Sequence, residues 1–182
     1  ESFDAITRTA AYVARTPIAL ITLVDEHRQW AKSCFGMDRF ESPRSDAFCA
    51  HAILTPQAPL IVEDALVDPR FHDNPLVTDS PGIRFYCGLP LLGDTGTAFG
   101  TLCVIDTEPH SLDREQLEVL QGLADQAAEL MRARGSVRAL ESQVQRDDET
   151  HVRMLRGVAE ILRHADGLDE IGRAHVELQS HV

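Results

Sequence analysis

The sequence predicts an α+β domain built on an antiparallel sheet and followed by a long helix. Three observations carry that expectation. Two pairs of strand-like segments, Ile18–Val24 with Gln29–Cys34 and Ile83–Leu92 with Ala98–Ile105, are each joined by a short polar turn. Short turns of this kind make antiparallel hairpins. Segments with helical apolar spacing precede and follow these pairs. The composition also breaks near residue 110: every aromatic residue, every proline and every cysteine lies at or before His110. A loop-containing globular part therefore precedes the break and a helix-forming part follows it.

The elements follow in order. Phe3, Ile6, Ala10 and Val13 recur at helical spacing, with Ser2 placed to cap the start and Pro17 to end the element. This helix is amphipathic and is expected to lie on the sheet. Ile18–Val24 is nearly all apolar, as a central strand is, and Asp25 to Arg28 make the turn into the alternating strand Gln29–Cys34. Phe35 to Asp46 carries Gly36, Pro43 and many charges, which marks a loop. Ser45 or Asp46 is expected to cap a short helix over Ala47–Leu54, which Pro56 stops. Leu60–Glu63 is a short strand. Asp64 to Gly82 carries Pro69, Pro75 and Pro81 and reads as a long loop with at most one helical turn. Long ordered loops in compact domains tend to be functional. Gly93 to Gly96 supply the turn of the second hairpin.

Asp113, with Gln116 three residues on, matches a capping box. Leu117, Leu120, Leu123, Ala124 and Ala127 form the first apolar stripe of the helix that follows. From Leu130 the pattern is heptad-like. One row is Leu130, Val137, Val144, His151, Val158 and Ala165; the other is Ala133, Leu140, Asp147, Met154, Ile161 and Leu168. Such a seam supports a two-stranded coiled coil and hence a homodimer. Asp147 and His151 interrupt it, and Gly135 and Gly157 each weaken a continuous helix by about 1 kcal/mol relative to Ala. A helix that ends near Arg146, with a new element after it, is the alternative. Residues 170–182 resemble the translation of a short-read sequencing adapter with one base slipped after Val176, and are set aside as an artefact.

The chain has 182 residues, of which 43% are hydrophobic and 25% charged, with a formal net charge of −12. An acidic chain repels nucleic-acid phosphates and anionic membrane surfaces, so neither is an expected partner. No apolar run is long enough to span a bilayer. The chain opens on Glu1 rather than Met, with no secretory pattern, and is expected to be a piece of a longer cytoplasmic protein. Cys34, Cys49, Cys87 and Cys103 form no C-x-x-C pair, and reduced thiols fit that compartment. Cys87 and Cys103 sit in apolar runs and are expected to act as core residues.

Taken together, several stretches resemble a known family. They are Ile18–Asp25, Arg28–Trp30, Phe48–Ile53, Asp68–Phe71, Asn74–Val77, Ile83–Gly88 and Gly100–Asp106. The chain resembles a GAF domain, the sensory module of bacterial signalling proteins, in the subtype found ahead of diguanylate cyclase, histidine kinase and PAS modules. The resemblance implies an antiparallel sheet of five or six strands with helices on both faces. The first and last helices share one face, and a ligand pocket lies on the other. The domains expected are a sensory domain over 1–132, a helical linker or the start of a further module over 133–169, and the artefact over 170–182.

The ligand-binding candidates lie on the segments that surround the pocket in the family: Phe48, Cys49, His51, Asp64, Arg70, Phe71, Arg84 and Tyr86. Cys49 and His51 are two apart on a helix and do not face one another. They read either as a thiol sensor and a ligand-contacting imidazole, or as a buried, inert Cys and a structural His, the second being favoured. Arg70 and Arg84 suit a carboxylate or phosphate through a bidentate fork, or else pin the loop through Asp64, Asp68 or Asp73. Phe85 and Tyr86 alternate along a strand, so one of them faces the pocket. Some relatives attach a tetrapyrrole through a Cys directly followed by His, but here Ala50 intervenes. His51, His72, Cys49 and Asp64 show no zinc-site spacing, so no metal is expected and no cofactor is evident. The chain has no G-x-S-x-G, P-loop or H-E-x-x-H motif, so no catalytic residue is assigned. The leading reading is a module that binds a small molecule, dimerises through its exit helix and relays the signal to a missing output domain. The alternatives are a thiol-based redox sensor or reductase using Cys49, and a ligand-free dimerisation spacer.

Overall fold

A computed structural model describes residues 2–179; the side chains at 138, 144, 147, 148, 151 and from 157 onward are outside the description. The seam positions Val144, Asp147, His151, Val158, Ile161, Ala165 and Leu168 fall among those side chains, as does the 170–182 stretch. The chain divides into two units, Glu1–Ala133 and Arg134–Val182.

The first unit holds one six-stranded sheet. Its strands are β1 (Ile18–Val24), β2 (Arg28–Phe35), β3 (Glu41–Pro43), β4 (Leu60–Val62), β5 (Phe85–Leu92) and β6 (Ala98–Asp106). The spatial order is β3-β2-β1-β6-β5-β4, and every neighbouring pair is antiparallel. The helices are α1 (Ser2–Ala14), α2 (Phe48–Ala52), α3 (Pro75–Thr78) and α4 (Arg114–Gln179). The fold class is the expected one, and β3 is the sixth strand, formed inside the segment read as a loop.

Period-two alternation splits each central strand between two cores. On one face Ala19, Ile21, Phe85, Cys87, Leu102 and Val104 pack against Phe3, Ala10 and Ala14 of α1 and Leu120, Ala124 and Ala127 of α4. On the other, Ile18, Leu20, Tyr86, Cys103 and Ile105 pack against Phe48 and Cys49 of α2, Val77 of α3 and Phe71 in the loop between. The small alanines let both helices approach the sheet closely.

The helix ends follow from local chemistry. α1 stops at Arg15, whose φ is +56°, with Thr16 N–H on Ala11 C=O and Arg15 N–H on Tyr12 C=O. That is a Schellman end. At the start of α4 the expected capping box is present: Gln116 N–H donates to Asp113 Oδ1 at 2.8 Å, and Asp113 N–H to Gln116 Oε1 at 2.9 Å. Gln116 Nε2 also donates to Val13 C=O, tying α4 to the end of α1. The cap of α2 differs from expectation. Ser45 and Asp46 lie in a 3-10 turn, Arg44–Asp46, and Ala47 is the capping position, with no side-chain bond. Ser45 Oγ bonds to the Asp46 carboxylate instead.

In the second unit the backbone is helical through Arg146 and on to Gln179. The described apolar seam positions Val137, Leu140 and Met154 are exposed.

Candidate functional site

A cavity of about 350 Å³ lies on the α2/α3 face of the sheet. Its floor comes from β1, β5 and β6 through Leu20, Tyr86 and Ile105, and α2 contributes Phe48 and Cys49. Gln29 of β2 and Ser42 of β3 form one side. The exposed residues Met37, Ser80 and Pro81 lie on two loops at its rim.

Strand register explains why these residues meet. Ile18 pairs with Ile105, Leu20 with Cys103 and Thr22 with Thr101, so all six share the cavity face. Tyr86 lies flat along that face because residue 88 is glycine. A Cβ at Gly88 would stand 2.7 Å from Tyr86 Cε1 and Cζ, and closer still to the hydroxyl. On β2 the register shifts opposite Ile21/Thr22: Ile21 pairs with Ser33 and Thr22 with Ala31, leaving Lys32 as an extra residue. This bulge reverses the alternation. Ser33 therefore turns to α1, where its hydroxyl meets Thr7 and Asp4, while Gln29 turns to the cavity.

Cys49 is the polar centre of the cavity floor. Its Sγ accepts from Thr22 Oγ1 at 3.1 Å and from Tyr86 OH at 3.4 Å. Thr22 is itself hydrogen-bonded to Thr101 at 3.0 Å. The neighbouring Cys103 thiol and these hydroxyls stabilise negative charge on Cys49 and hold its pKa below the usual thiol range against the cost of burial. The same proximity, together with burial, pushes the Cys103 thiol up. Burial likewise pushes the Tyr86 phenol up. Cys87 faces the other core, where desolvation pushes it up to about 12, as for a core hydrophobe.

Of the eight candidate residues, the structure brings Phe48, Cys49 and Tyr86 to the cavity wall. Phe71 stands one layer behind, fully buried and stacked on Phe48 with ring centroids 4.1 Å apart. The other four lie elsewhere. His51 is exposed, edge-on to Phe71, in a shallow outer hollow with His27 and Arg44. Two residues after Cys49 on one helix, it points away from the cavity. Asp64 closes a local turn by accepting from Leu66 N–H. Arg70 forms a bidentate pair with Asp68 at 2.9 and 2.6 Å. Arg84 uses Nη1 to collect the carbonyls of Val77, Gly82 and Ile83, pinning the segment that leads from α3 into β5. Arg70 thus pins its loop through Asp68, while Arg84 does so through backbone oxygens.

Sequence reasoning missed Gln29, Ser42, Thr22, Thr101 and the role of Cys103. Alternation in Gln29–Cys34 was visible, but it could not locate the bulge that decides which way Gln29 points. Among the described residues no three His, Cys, Asp or Glu side chains converge on a metal-sized site. Among them, too, no helix is long and apolar enough to cross a membrane.

A family model described as GAF domain matches residues 1–131. The chain belongs to the GAF domain family. The cavity thus sits in a GAF fold, on the sheet face opposite α1 and α4. The chain is 49% identical over 110 residues to a protein named cyclic di-GMP phosphodiesterase from Pseudomonas aeruginosa. That match covers 60% of this chain, which spans only 19% of that relative's length. Among solved structures, the GAF domain of an Acinetobacter phosphoenolpyruvate-protein phosphotransferase superposes with a TM-score of 0.58 at 19% identity, covering 75% of this chain and 83% of the other. The blue-light absorbing form of the Thermosynechococcus elongatus PixJ GAF domain gives 0.60 at 12% identity, over 78% and 89%. A type II free methionine-R-sulfoxide reductase from Thermoplasma acidophilum gives 0.58 at 15% identity, over 71% and 89%. At such identities these three share the GAF fold and nothing finer is carried over.

Proposed function

We propose that this GAF domain is a regulatory module that takes a small molecule into the cavity between the sheet and the α2/α3 segment. In this reading it passes the signal through α4 to an output domain beyond it and performs no catalytic step itself. The observation that carries the reading is the largely apolar cavity of about 350 Å³, open at its rim and of a size within the ordinary range of ligand sites. The relay has a physical basis in the alternation of the central strands. Tyr86 and Cys103 face the cavity, while Phe85, Cys87, Leu102 and Val104 on the same strands pack under α1 and α4. Filling the cavity shifts strands whose opposite side is the seat of α4, and the ligand acts to the extent that it binds two such arrangements unequally. The relative named a cyclic di-GMP phosphodiesterase supports placing the module in a signalling protein of that kind. The exposed seam residues Val137, Leu140 and Met154 support a homodimer through the helix.

Native mass spectrometry of the purified chain tests the sensory reading. A co-purifying small molecule that is lost on Tyr86→Trp, a change that fills the floor of the cavity, is the expected result. An empty chain that takes up nothing across a metabolite panel would favour the spacer. Sedimentation of the same sample tests the dimer, and a strict monomer at high concentration would argue against it.

A second reading, a thiol sensor, has one observation in its favour. The Cys49 thiol lines the cavity and is hydrogen-bonded by two hydroxyls. If Cys49→Ser leaves the thiol reactivity of the folded chain unchanged, that reading fails.

A further inference from the structure

The polar atoms around the cavity are nearly all engaged. Tyr86 OH and Thr22 Oγ1 donate to Cys49. Gln29 Nε2 donates to Ser42 Oγ at 2.9 Å across the β2–β3 pair. Gln29 Oε1 stands apart: it is the one buried side-chain nitrogen or oxygen among the described residues that has no hydrogen-bond partner. Gln29 is 3% exposed and lines the cavity. An amide oxygen taken from water and left unpaired carries the full cost of desolvation. The fold places this oxygen deliberately in the sense that two features fix it. The bulge at Lys32 turns Gln29 to the cavity, and Ser42 holds the amide nitrogen so that the oxygen is the free end.

A bound water does not account well for it. A buried water needs about two to four polar partners, and beside Gln29 Oε1 the wall offers the Ser42 hydroxyl and mostly apolar carbon. Apart from Ser42, Cys49, Ser80 and the Tyr86 hydroxyl, the rest of the wall is apolar, with Ile18, Leu20, Phe40, Leu76, Ile83 and Ile105 prominent. Among the described residues no Asp, Glu, Lys, Arg or His side chain lines the cavity. A carboxylate or phosphate entering it would shed its hydration and gain no counter-charge.

We propose that the cavity selects a neutral, largely apolar small molecule carrying one hydrogen-bond donor, and that Gln29 Oε1 is the acceptor that reads this donor. The proposal rests on the reading of the cavity as a ligand site and adds the chemical class of the ligand. It sets phosphorylated nucleotides and carboxylic acids outside the class that this cavity takes.

The test titrates the full chain with three fluorescent probes that share one ring system: 2-naphthol, 2-methoxynaphthalene and 2-naphthoate. The first offers a donor, the second has that donor methylated, and the third is an anion. The expected order in the wild type is 2-naphthol tighter than 2-methoxynaphthalene by about tenfold, the worth of one hydrogen bond at a desolvated acceptor, with 2-naphthoate weakest. Gln29→Met keeps the length of the side chain and removes the acceptor, and should bring the first ratio to within about twofold. On the unmutated chain, the carboxamide carbon resonance of Gln29 should move with 2-naphthol and not with the ether, a readout that does not depend on the variant folding. Equal affinity for the first two probes would overturn the donor inference while leaving the ligand site intact. Preferred binding of 2-naphthoate would overturn the neutral class. If no probe saturates, the ligand site and the inference fall together.

Discussion

Gly88→Ala is the substitution whose effect can be worked most directly from the structure. The new methyl group would meet the Tyr86 hydroxyl most closely and stand 2.7 Å from Cε1 and Cζ, so the ring must retreat by more than about 0.7 Å to reach the 3.4 Å at which ordinary contact begins. The ring has little room to retreat. Tyr86 is 1% exposed, its ring centroid lies 5.0 Å from that of Phe48, and its hydroxyl bonds Cys49. Overpacking a filled core costs about 1–3 kcal/mol, and loss of the Tyr86–Cys49 hydrogen bond adds about 0.5–1.5 kcal/mol. A total near 2–4 kcal/mol corresponds to a fall in Tm of about 5–15 °C for a domain of this size. Urea and thermal denaturation followed by circular dichroism measure it. The decisive comparison is a double-mutant cycle with Tyr86→Leu, in which the smaller side chain should reduce the cost of the alanine to below about 1 kcal/mol. An equal cost in both backgrounds, or a Gly88→Ala chain as stable as wild type, would refute the claim that Gly88 exists to seat Tyr86.

Other outcomes follow from the same geometry. Arg84→Ala removes the guanidinium that gathers three carbonyls and should cost on the order of 2 kcal/mol; limited proteolysis should then cut between α3 and β5 first. Asp113→Ala breaks the reciprocal cap of α4 and should cost about 1 kcal/mol, with faster hydrogen exchange confined to the first turn of that helix. For Cys49 the sign is fixed by hydrogen bonds from Cys103, Thr22 and Tyr86 that hold its folded pKa below the ordinary thiol value of about 8.5. The thiolate contribution to stability is full above about 8.5 and is lost as pH falls through the lowered folded value, so the stability gap between wild type and Cys49→Ser should narrow on acidification. A wild-type ultraviolet thiolate signal with a midpoint below about 8.5, absent in Cys49→Ser, checks the same assignment; a midpoint above that value would contradict it.

Much of the fold was legible because its signals are local. The apolar run Ile18–Val24 and the strands around Gly93–Gly96 are hairpin halves in any context, and the Asp113/Gln116 box closes within one turn. β3 escaped notice because Glu41, Ser42 and Pro43 show no apolar alternation, and they form a strand only by pairing with the edge of β2. The cap of α2 differs from the local signal because Ser45 and Asp46 are absorbed by the preceding 3-10 turn. The candidate site was legible only in part. Phe48, Cys49 and Tyr86 sit on short regular elements, so their placement followed from periodicity and resemblance together. Asp64, Arg70 and Arg84 have chemistry that suits a ligand equally well as a loop, and the backbone groups that claimed Asp64 and Arg84 are invisible in a list of side chains.

The sequence by itself determined the sheet, its two apolar faces and the helical tail, because hydrophobic periodicity and composition are properties of neighbouring residues. The tertiary structure decided which polar atoms meet. One extra residue at Lys32 reverses the alternation of β2 and sends Gln29 to the cavity and Ser33 to α1. A missing Cβ at Gly88 lets Tyr86 lie across to Cys49. Both depend on register between strands far apart in the chain, and register is set by the packing of the whole sheet rather than by any segment of it.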